Sequence, residues 1–204
     1  MALLSGTFTY KKYRIPDELP KNFKETLVQT LPRHAFREIQ PQRNPEFSIG
    51  WVNAFDPMDT HLGLEKVLFG KYILLGIRWD RKSIPAALLK AQLSSALKAQ
   101  LRERKGRKLS REESVGLRDT IKEKMLAAVS PTTQLFEVVW NYETQEVFFS
   151  STAAKAGIQF AELFEESFKL PLEEQNLVSM TEAYIERHGL GLELIDLEAA
   201  NFGS

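Results

Sequence analysis

The chain has 204 residues, of which 43% are hydrophobic and 10% aromatic, and its 27 basic residues balance its 27 acidic ones. This length and composition are typical of a folded globular protein with one large or two small domains. The absence of cysteine excludes disulfide bonds, thiolate nucleophiles and cysteine-ligated zinc or iron-sulfur centres. No run of about 18 apolar residues occurs and residues 1–13 lack the features of a signal peptide, so we expect a cytoplasmic protein without a membrane partner.

The first part of the chain predicts several strands and one helix. Strands are predicted at residues 8–15, 46–52, 65–69 and 72–79, and a helix is predicted at residues 21–31. The last two strands are separated by Gly70 and Lys71, which predict a hairpin turn. The second arm of this hairpin is apolar enough to be a central strand of a sheet.

Two long amphipathic helices are predicted next. In the first, Ser83 is the predicted N-cap, and the sequence continues with leucines every four residues at Leu89, Leu93, Leu97 and Leu101. Gly106 is the predicted terminator, and Ser110 to Glu113 fit a capping box that starts the second helix. The second helix has its own apolar stripe, formed by Leu117, Ile121, Met125 and Ala128. We therefore predict a helical hairpin.

The last third predicts a second strand hairpin and further helices. Residues 135–140 and 146–150 have strand character and flank a turn at residues 141–145. Ser151 or Thr152 is expected to cap a helix at residues 153–168, with an apolar face formed by Ile158, Ala161, Phe164 and Phe168. The acidic tail predicts a helix at residues 180–187 and a short strand at residues 192–195.

The order of these elements predicts an α+β fold. Its sheet is expected to be curved and mostly antiparallel, because hairpins supply most of the strands. We expect a body formed by residues 1–82 and 131–204. The helical hairpin of residues 83–130 is expected to project from this body.

Charge is segregated along the chain although the total is zero. Residues 81–124 contain 13 basic and 5 acidic residues, whereas residues 158–204 contain 2 basic and 10 acidic ones. Such segregation creates local potentials that can gather phosphate groups. The density of basic residues is highest at the turn of the helical hairpin. This segment, the basic tip, is defined by Arg102, Arg104, Lys105, Arg107, Lys108 and Arg111. These residues are candidate DNA contacts, although basic residues also solvate the outer face of many long helices.

Few residues point to catalysis. Asp56, Asp59 and His61 could converge on a divalent metal. However, aspartate and proline are also typical of loops that simply turn. His34 and His188 are isolated, and the sequence has neither a Ser-His-Asp order nor a glycine-rich phosphate loop. We therefore expect no enzyme, no cofactor, no metal and no small-molecule substrate.

Three tryptophans lie in or at the ends of predicted strands, at Trp51, Trp79 and Trp140. Exposed aromatic rings of this kind could stack on single-stranded bases. Strand aromatics beside apolar runs are more often buried in the core of a domain. We favour the core interpretation.

Several motifs in order resemble the RdgC family of bacterial recombination-associated proteins. They are Gly50-Trp51-Val52, the helix at residues 88–105, the sequence GRKLSREE at residues 106–113, and residues 151–168 after an apolar hairpin. The similarity in order and spacing covers roughly residues 8–171. The resemblance implies a nucleoid-associated homodimer that closes a ring around duplex DNA, binds it with little sequence preference and restrains recombinase function. The family's basic segment between two long helices matches Arg107 and Lys108, so charge and resemblance point to the same two residues.

The sequence departs from the family pattern at the end of the second long helix. The family has a stretch similar to LLPRAF where residues 125–130 read MLAAVS, so Ala128 replaces arginine and Ser130 replaces phenylalanine. The chain is also shorter than family members whose C-terminal portion helps to complete the ring. Three functions therefore stay open: duplex DNA binding linked to recombination or replication, an interaction or scaffold role that kept the fold but lost DNA binding, and a metal-dependent nuclease.

Overall fold

The structure, a computed structural model, describes residues 9–41, 44, 46–105, 107 and 109–191, with Ala183 described in its backbone only. The described strands are β1 (Lys11–Arg14), β2 (Phe47–Val52), β3 (Leu68–Phe69), β4 (Tyr72–Arg81), β5 (Thr132–Asn141), β6 (Glu146–Phe149) and β7 (Glu173–Gln175). The described helices are α1 (Phe23–Thr30), α2 (Leu64–Val67), α3 (Ala86–Glu103), α4 (Arg111–Ala128), α5 (Ala154–Phe168) and α6 (Leu177–His188). Within these residues, no helix has the length and hydrophobicity that crossing a bilayer would require.

The strands form a seven-stranded sheet in the order β2-β4-β5-β6-β1-β7, with β3 paired to β4. The ladders of β1 with β6, β1 with β7, β3 with β4 and β5 with β6 are all antiparallel. β5 and β6 form the predicted hairpin, in which Trp140 lies opposite Val147. The sheet does not close into a barrel. The predicted α+β class with a mostly antiparallel sheet is therefore confirmed.

The chain divides into two compact units. The first consists of Met1–Ala35, Val52–Gly76 and Phe136–Ser204, and the second of Phe36–Trp51 and Ile77–Leu135. The core of the first unit is aromatic: Phe149 stacks on Phe160 of α5 with ring centroids 4.5 Å apart, and Trp140 contacts Phe164 at 5.1 Å. Aromatic pairs of this kind add to the stabilisation that burial alone provides. Helix α5 is thereby fixed against the sheet.

The apolar face of α5 differs from the prediction at one end. Ile158 is 59% exposed, whereas Ala156, Gly157 and Phe160 are buried. The buried stripe therefore begins on the neighbouring face of the helix, because residues three and four apart share a face. The predicted cap is also wrong: Ala153 is the N-cap and has no capping side chain.

Two further local predictions are wrong. Residues 64–67 form the short helix α2 instead of a strand arm, and only Leu68–Phe69 pair with β4. Ser83 does not cap α3, because the helix begins after Pro85, whose carbonyl accepts the first helical hydrogen bonds. The strand predicted at residues 192–195 lies outside the described residues, as does residue 8 of the first predicted strand.

All three tryptophans are buried. Trp51 and Trp140 are 0% exposed and Trp79 is 6% exposed. Rings without accessible faces cannot stack on bases. The core interpretation is therefore confirmed and a stacking surface of these residues is excluded.

The second unit contains the two 18-residue helices α3 and α4, which pack against each other. The predicted leucines of α3 are half-buried, and no residue of α3 is fully buried. In α4 only Leu126 is fully buried, and the Nζ of Lys82 donates a 2.9 Å hydrogen bond to its carbonyl oxygen. The hairpin is therefore held by a narrow apolar seam and leaves most of its surface in water.

Candidate nucleic-acid interface

The basic tip lies at the junction of α3 and α4, where the chain reverses. α3 ends at Glu103 with Arg104 as its C-cap, and α4 begins at Arg111. Lys105 adopts a positive φ of 50°, in the left-handed region that commonly ends a helix. The predicted terminator, Gly106, lies outside the described residues. A lysine in this conformation carries backbone strain that glycine would avoid.

The start of α4 is fixed by the predicted capping box. The Oγ of Ser110 accepts a 3.1 Å hydrogen bond from the Glu113 amide, and a carboxylate oxygen of Glu113 accepts one of 2.8 Å from the Ser110 amide. Because the Ser110 amide and Arg104 both donate to the carboxylate, the pKa of Glu113 lies below its ordinary value. The capping box is therefore confirmed, and it keeps a negative charge beside the tip.

The predicted DNA contacts are exposed wherever the structure describes them. Arg102 lies in the last turn of α3, Lys105 and Arg107 lie in the connection, and Arg111 opens α4. The sixth predicted contact, Lys108, lies outside the described residues. With Arg104, five described basic residues therefore lie at or beside the connection between α3 and α4.

Arg104 differs from the other basic residues of the tip. Its Nη1 donates to an oxygen of Glu113 across the turn, at 2.7 Å. Exposed pairs of this kind contribute little stability, but they cancel charge locally. Among the described residues, no such ion pair is formed by Arg102, Lys105, Arg107 or Arg111. These four side chains therefore carry the uncompensated positive charge of the described part of the tip.

The geometry of the tip suits electrostatic contact with phosphate groups. The N-terminus of α4 would itself attract an anion, but Glu112 and Glu113 occupy its first turn and Ser110 uses one of its amides. Attraction of phosphate groups must therefore come from the basic side chains of the tip. Arginine presents several donors that match phosphate oxygens, without reading base edges.

An ion pair close to the base of α4 was not predicted from the sequence. Lys122 pairs with Glu46, which precedes β2, so its charge is compensated. The two residues are 76 positions apart in sequence, and no local pattern predicts such a contact. At the end of α4, the residues that depart from the family pattern, Ala128 and Ser130, are both exposed.

The loop that contains Asp56, Asp59 and His61, the acidic loop, forms a structural turn. The side chain of Asp56 accepts a hydrogen bond from the Met58 amide, and an oxygen of Asp59 lies 2.6 Å from the Nζ of Lys66. Lys66 and the His61 amide lower the pKa of Asp59 to about 2. Among the described residues, no three His, Cys, Asp or Glu side chains are grouped so that they could hold a metal ion. The loop therefore does not have the geometry of the metal site that was considered.

Comparison with known families adds to this geometry. A family model described as "RdgC: Putative exonuclease, RdgC" matches residues 10–185. The match includes both long helices and the basic tip. A search of curated proteins gave no significant match.

Proposed function

Because the chain belongs to the RdgC family, we propose that it is a non-catalytic protein that binds duplex DNA without sequence preference and acts in DNA recombination or replication. One observation carries the proposal: the described basic residues Arg102, Arg104, Lys105, Arg107 and Arg111 are exposed together where the chain reverses between α3 and α4. Lys108, between Arg107 and Arg111 in sequence, is proposed to join them. Their positions fit contact with the phosphate backbone, where charge and not base identity determines affinity.

Salt dependence is the expected signature of this binding. Each neutralised phosphate steepens the log-log dependence of affinity on salt by about 0.9. If the four described cations of the tip that form no ion pair each contact one phosphate, together they contribute about −3 to −4 to the slope per protomer. Affinity should differ little between duplexes of unrelated sequence, because no base edge is read.

The test is fluorescence anisotropy with labelled random duplexes over a range of salt concentrations. Arg107→Glu should weaken binding and lower the slope. Arg33→Glu is the matched control, since Arg33 is exposed and lies outside the tip. Absence of binding at low salt, or equal binding by Arg107→Glu and the wild type, would refute the proposal.

We also propose that the chain is a homodimer associated with the nucleoid. Family membership supports this, because the resemblance implies a dimer around DNA. Light scattering at several protein concentrations measures the mass, and a monomer at every concentration would contradict the dimer. Co-sedimentation with isolated nucleoids tests the localisation.

A scaffold role without DNA binding is the second candidate. It is favoured by the Arg104–Glu113 ion pair, which cancels one tip charge. The exposed Ala128 and Ser130 also offer neither a cation nor an aromatic ring. The same salt titration separates the two functions, because a scaffold would show no phosphate-dependent binding.

The family description makes a nuclease test worthwhile. The proposal of a non-catalytic protein is supported by the Lys66–Asp59 contact, which places a cation against the most central carboxylate of the acidic loop. Prolonged incubation of linear duplex DNA with magnesium or manganese measures any activity. Degradation of the DNA by the purified wild-type protein, but not by a heat-inactivated sample of it, would overturn this part of the proposal.

A further inference from the structure

Ser110 is an exposed serine where the basic tip joins α4. Its Oγ accepts a hydrogen bond from the Glu113 amide but donates none to the described residues. Its backbone is extended, with φ −67° and ψ 168°, and the residues before it belong to the connection between α3 and α4. Ser110 is therefore open to solvent, and no described residue holds its hydroxyl proton.

The sequence around Ser110 is basic. Arg107 and Lys108 precede the serine by three and two residues, and Arg111 follows it. A serine kinase that selects basic segments presents an acidic cleft to the residues before its target, so charge determines which serine is modified. Because α4 begins only at Arg111, such a cleft can take up the preceding segment without unwinding that helix.

A guanidinium group is already positioned beside Ser110. One oxygen of Glu113 accepts from the Nη1 of Arg104 at 2.7 Å, and its other oxygen accepts from the Ser110 amide at 2.8 Å. Arg104 and Ser110 therefore lie on either side of one carboxylate. A phosphate on the Oγ of Ser110 carries a charge of about −1.5 to −2 at neutral pH and three acceptor oxygens. Since the carboxylate has a single charge, the phosphate is the stronger partner for the guanidinium.

We propose that Ser110 is a phosphorylation site and that its phosphate takes Arg104 from Glu113. The Ser110 oxygen attacks the γ-phosphorus of a nucleoside triphosphate held by the kinase, and a new O–P bond forms. The bond from the γ-phosphorus to the bridging oxygen breaks, and the nucleoside diphosphate leaves with that electron pair. The hydroxyl proton passes to a base of the kinase. Repulsion between the phosphate and Glu113 then separates the carboxylate from its place in the capping box.

Phosphorylation reduces the positive charge that the tip offers to DNA. The phosphate pairs with Arg104 and lies between Arg107 and Arg111 in sequence, so contacts within the chain compete with the phosphates of DNA. A dianion cancels about two positive charges, which should make the salt slope shallower by about 1.8. This regulatory part rests on the proposed function, whereas the modification and the contact with Arg104 do not.

Mass spectrometry after incubation of the full chain with ATP and cyclic-AMP-dependent protein kinase, which selects serines preceded by basic residues, tests the site. Phosphate should be found on Ser110, and Ser110→Ala should lose this incorporation. Ser114→Ala is the matched control, because Ser114 is also exposed at the start of α4 but its hydroxyl donates to the Ser110 carbonyl at 2.8 Å. Circular dichroism confirms that each variant retains the fold. A wild type without phosphate on Ser110, or equal incorporation in Ser110→Ala, would overturn the proposal.

Phosphorus NMR of the phosphorylated chain tests the contact with Arg104 in the absence of DNA. A neighbouring guanidinium favours the dianion, so the second pKa of the phosphate should lie below its ordinary value of about 6. In Arg104→Gln this pKa should rise, whereas Arg118→Gln, which removes an exposed arginine outside the tip, should leave it unchanged. The same pKa in the wild type and Arg104→Gln would overturn the contact.

DNA binding by the phosphorylated and unmodified chains, measured at several salt concentrations, tests the regulatory part. The phosphorylated chain should bind more weakly and with the shallower slope. Equal affinity and slope of the two forms would overturn the regulation. Absence of binding by both forms would refute the proposed function and the regulation with it, whereas the mass and pKa measurements would still decide the modification.

Discussion

The hydroxyl of Tyr13 lies 3.0 Å from the position that a Cβ atom on Gly157 would occupy. Tyr13 is 3% exposed, and its hydroxyl has no hydrogen-bond partner in the described structure. Burial, followed by the negative charge of Glu174, raises the pKa of Tyr13 to about 12. The absence of a side chain at Gly157 lets the tyrosine of β1 pack against the first turns of α5. It also leaves a polar group buried without compensation.

Tyr13→Phe is expected to stabilise the protein by about 1 kcal/mol, because it removes a buried hydroxyl that makes no hydrogen bond. Ring packing against Phe160, with centroids 5.2 Å apart, is retained. Urea unfolding measures the change. A loss of stability would mean that the hydroxyl has a partner in solution, such as an ordered water.

Gly157→Ala should be tolerated only when the hydroxyl is absent. Alanine favours a helix over glycine by about 1 kcal/mol, but in the wild type its methyl group meets the Tyr13 oxygen. In the Tyr13→Phe background, Gly157→Ala should stabilise the protein, because the helix preference of alanine is no longer offset by the contact with the hydroxyl. A double-mutant cycle in urea measures this coupling, and additive effects would contradict it.

Gly76→Ala should destabilise the first unit by about 1 to 3 kcal/mol through steric strain. A Cβ at Gly76 would lie 2.9 Å from a methyl carbon of Val52 and 3.1 Å from the backbone oxygen of Asn53. The backbone oxygen of Asn53, directly after β2, cannot move aside without cost. Gly116→Ala is the matched control, since nothing lies within 4 Å of its Cβ position in α4. The control should gain stability by about 1 kcal/mol, and equal effects of both changes would be inconsistent with the strand contact.

Asp80→Ala should destabilise the second unit by about 3 to 5 kcal/mol, because it removes the buried carboxylate that accepts two hydrogen bonds from the Arg78 guanidinium. Asp80 is 2% exposed and accepts hydrogen bonds from Arg78 at 2.8 Å and from Thr133 at 2.7 Å. Thr133→Val removes only the neutral donor and should cost about 1 kcal/mol. Thermal unfolding compares the two variants, and similar losses would show that the ion pair is not the dominant interaction.

Acid should weaken the loop that Asp59 organises. Its pKa is about 2 in the folded protein, below the ordinary value of 3.8. The stabilising contribution is therefore complete above the ordinary value and is lost as the pH falls through about 2. The difference in Tm between the wild type and Asp59→Asn should shrink as the pH falls from about 4 to about 2. Asp56→Asn is the control. A difference in Tm between the wild type and Asp59→Asn that does not change with pH would contradict the lowered pKa of Asp59.

The sequence predicted those features that depend only on residues close together in the chain. The capping box of Ser110 and Glu113 spans three residues, and the leucines of α3 repeat every four, so both were visible in the sequence. Ser83 was misassigned because α3 begins only after Pro85. Ile158 was misassigned because contacts of α5 with distant strand residues, such as Phe160 with Phe149, decide which face is buried. The basic tip was predicted as a group, and the side chains of its described members are exposed there. The pairing of Arg104 with Glu113 was not predicted, because it joins residues on opposite sides of a turn.

The narrow seam of the helical hairpin gives the tip a mechanical property. Eighteen residues at about 1.5 Å per residue make each helix about 27 Å long. Beyond Leu126 no side chain of either helix is fully buried, so few packing contacts oppose bending of the hairpin. A rotation of about 10° at the base of the hairpin carries the tip through about 5 Å, which exceeds the axial rise of about 3.4 Å between phosphates of one strand. Under the proposed function, such a rotation would align the cations of the tip with phosphates of any base sequence.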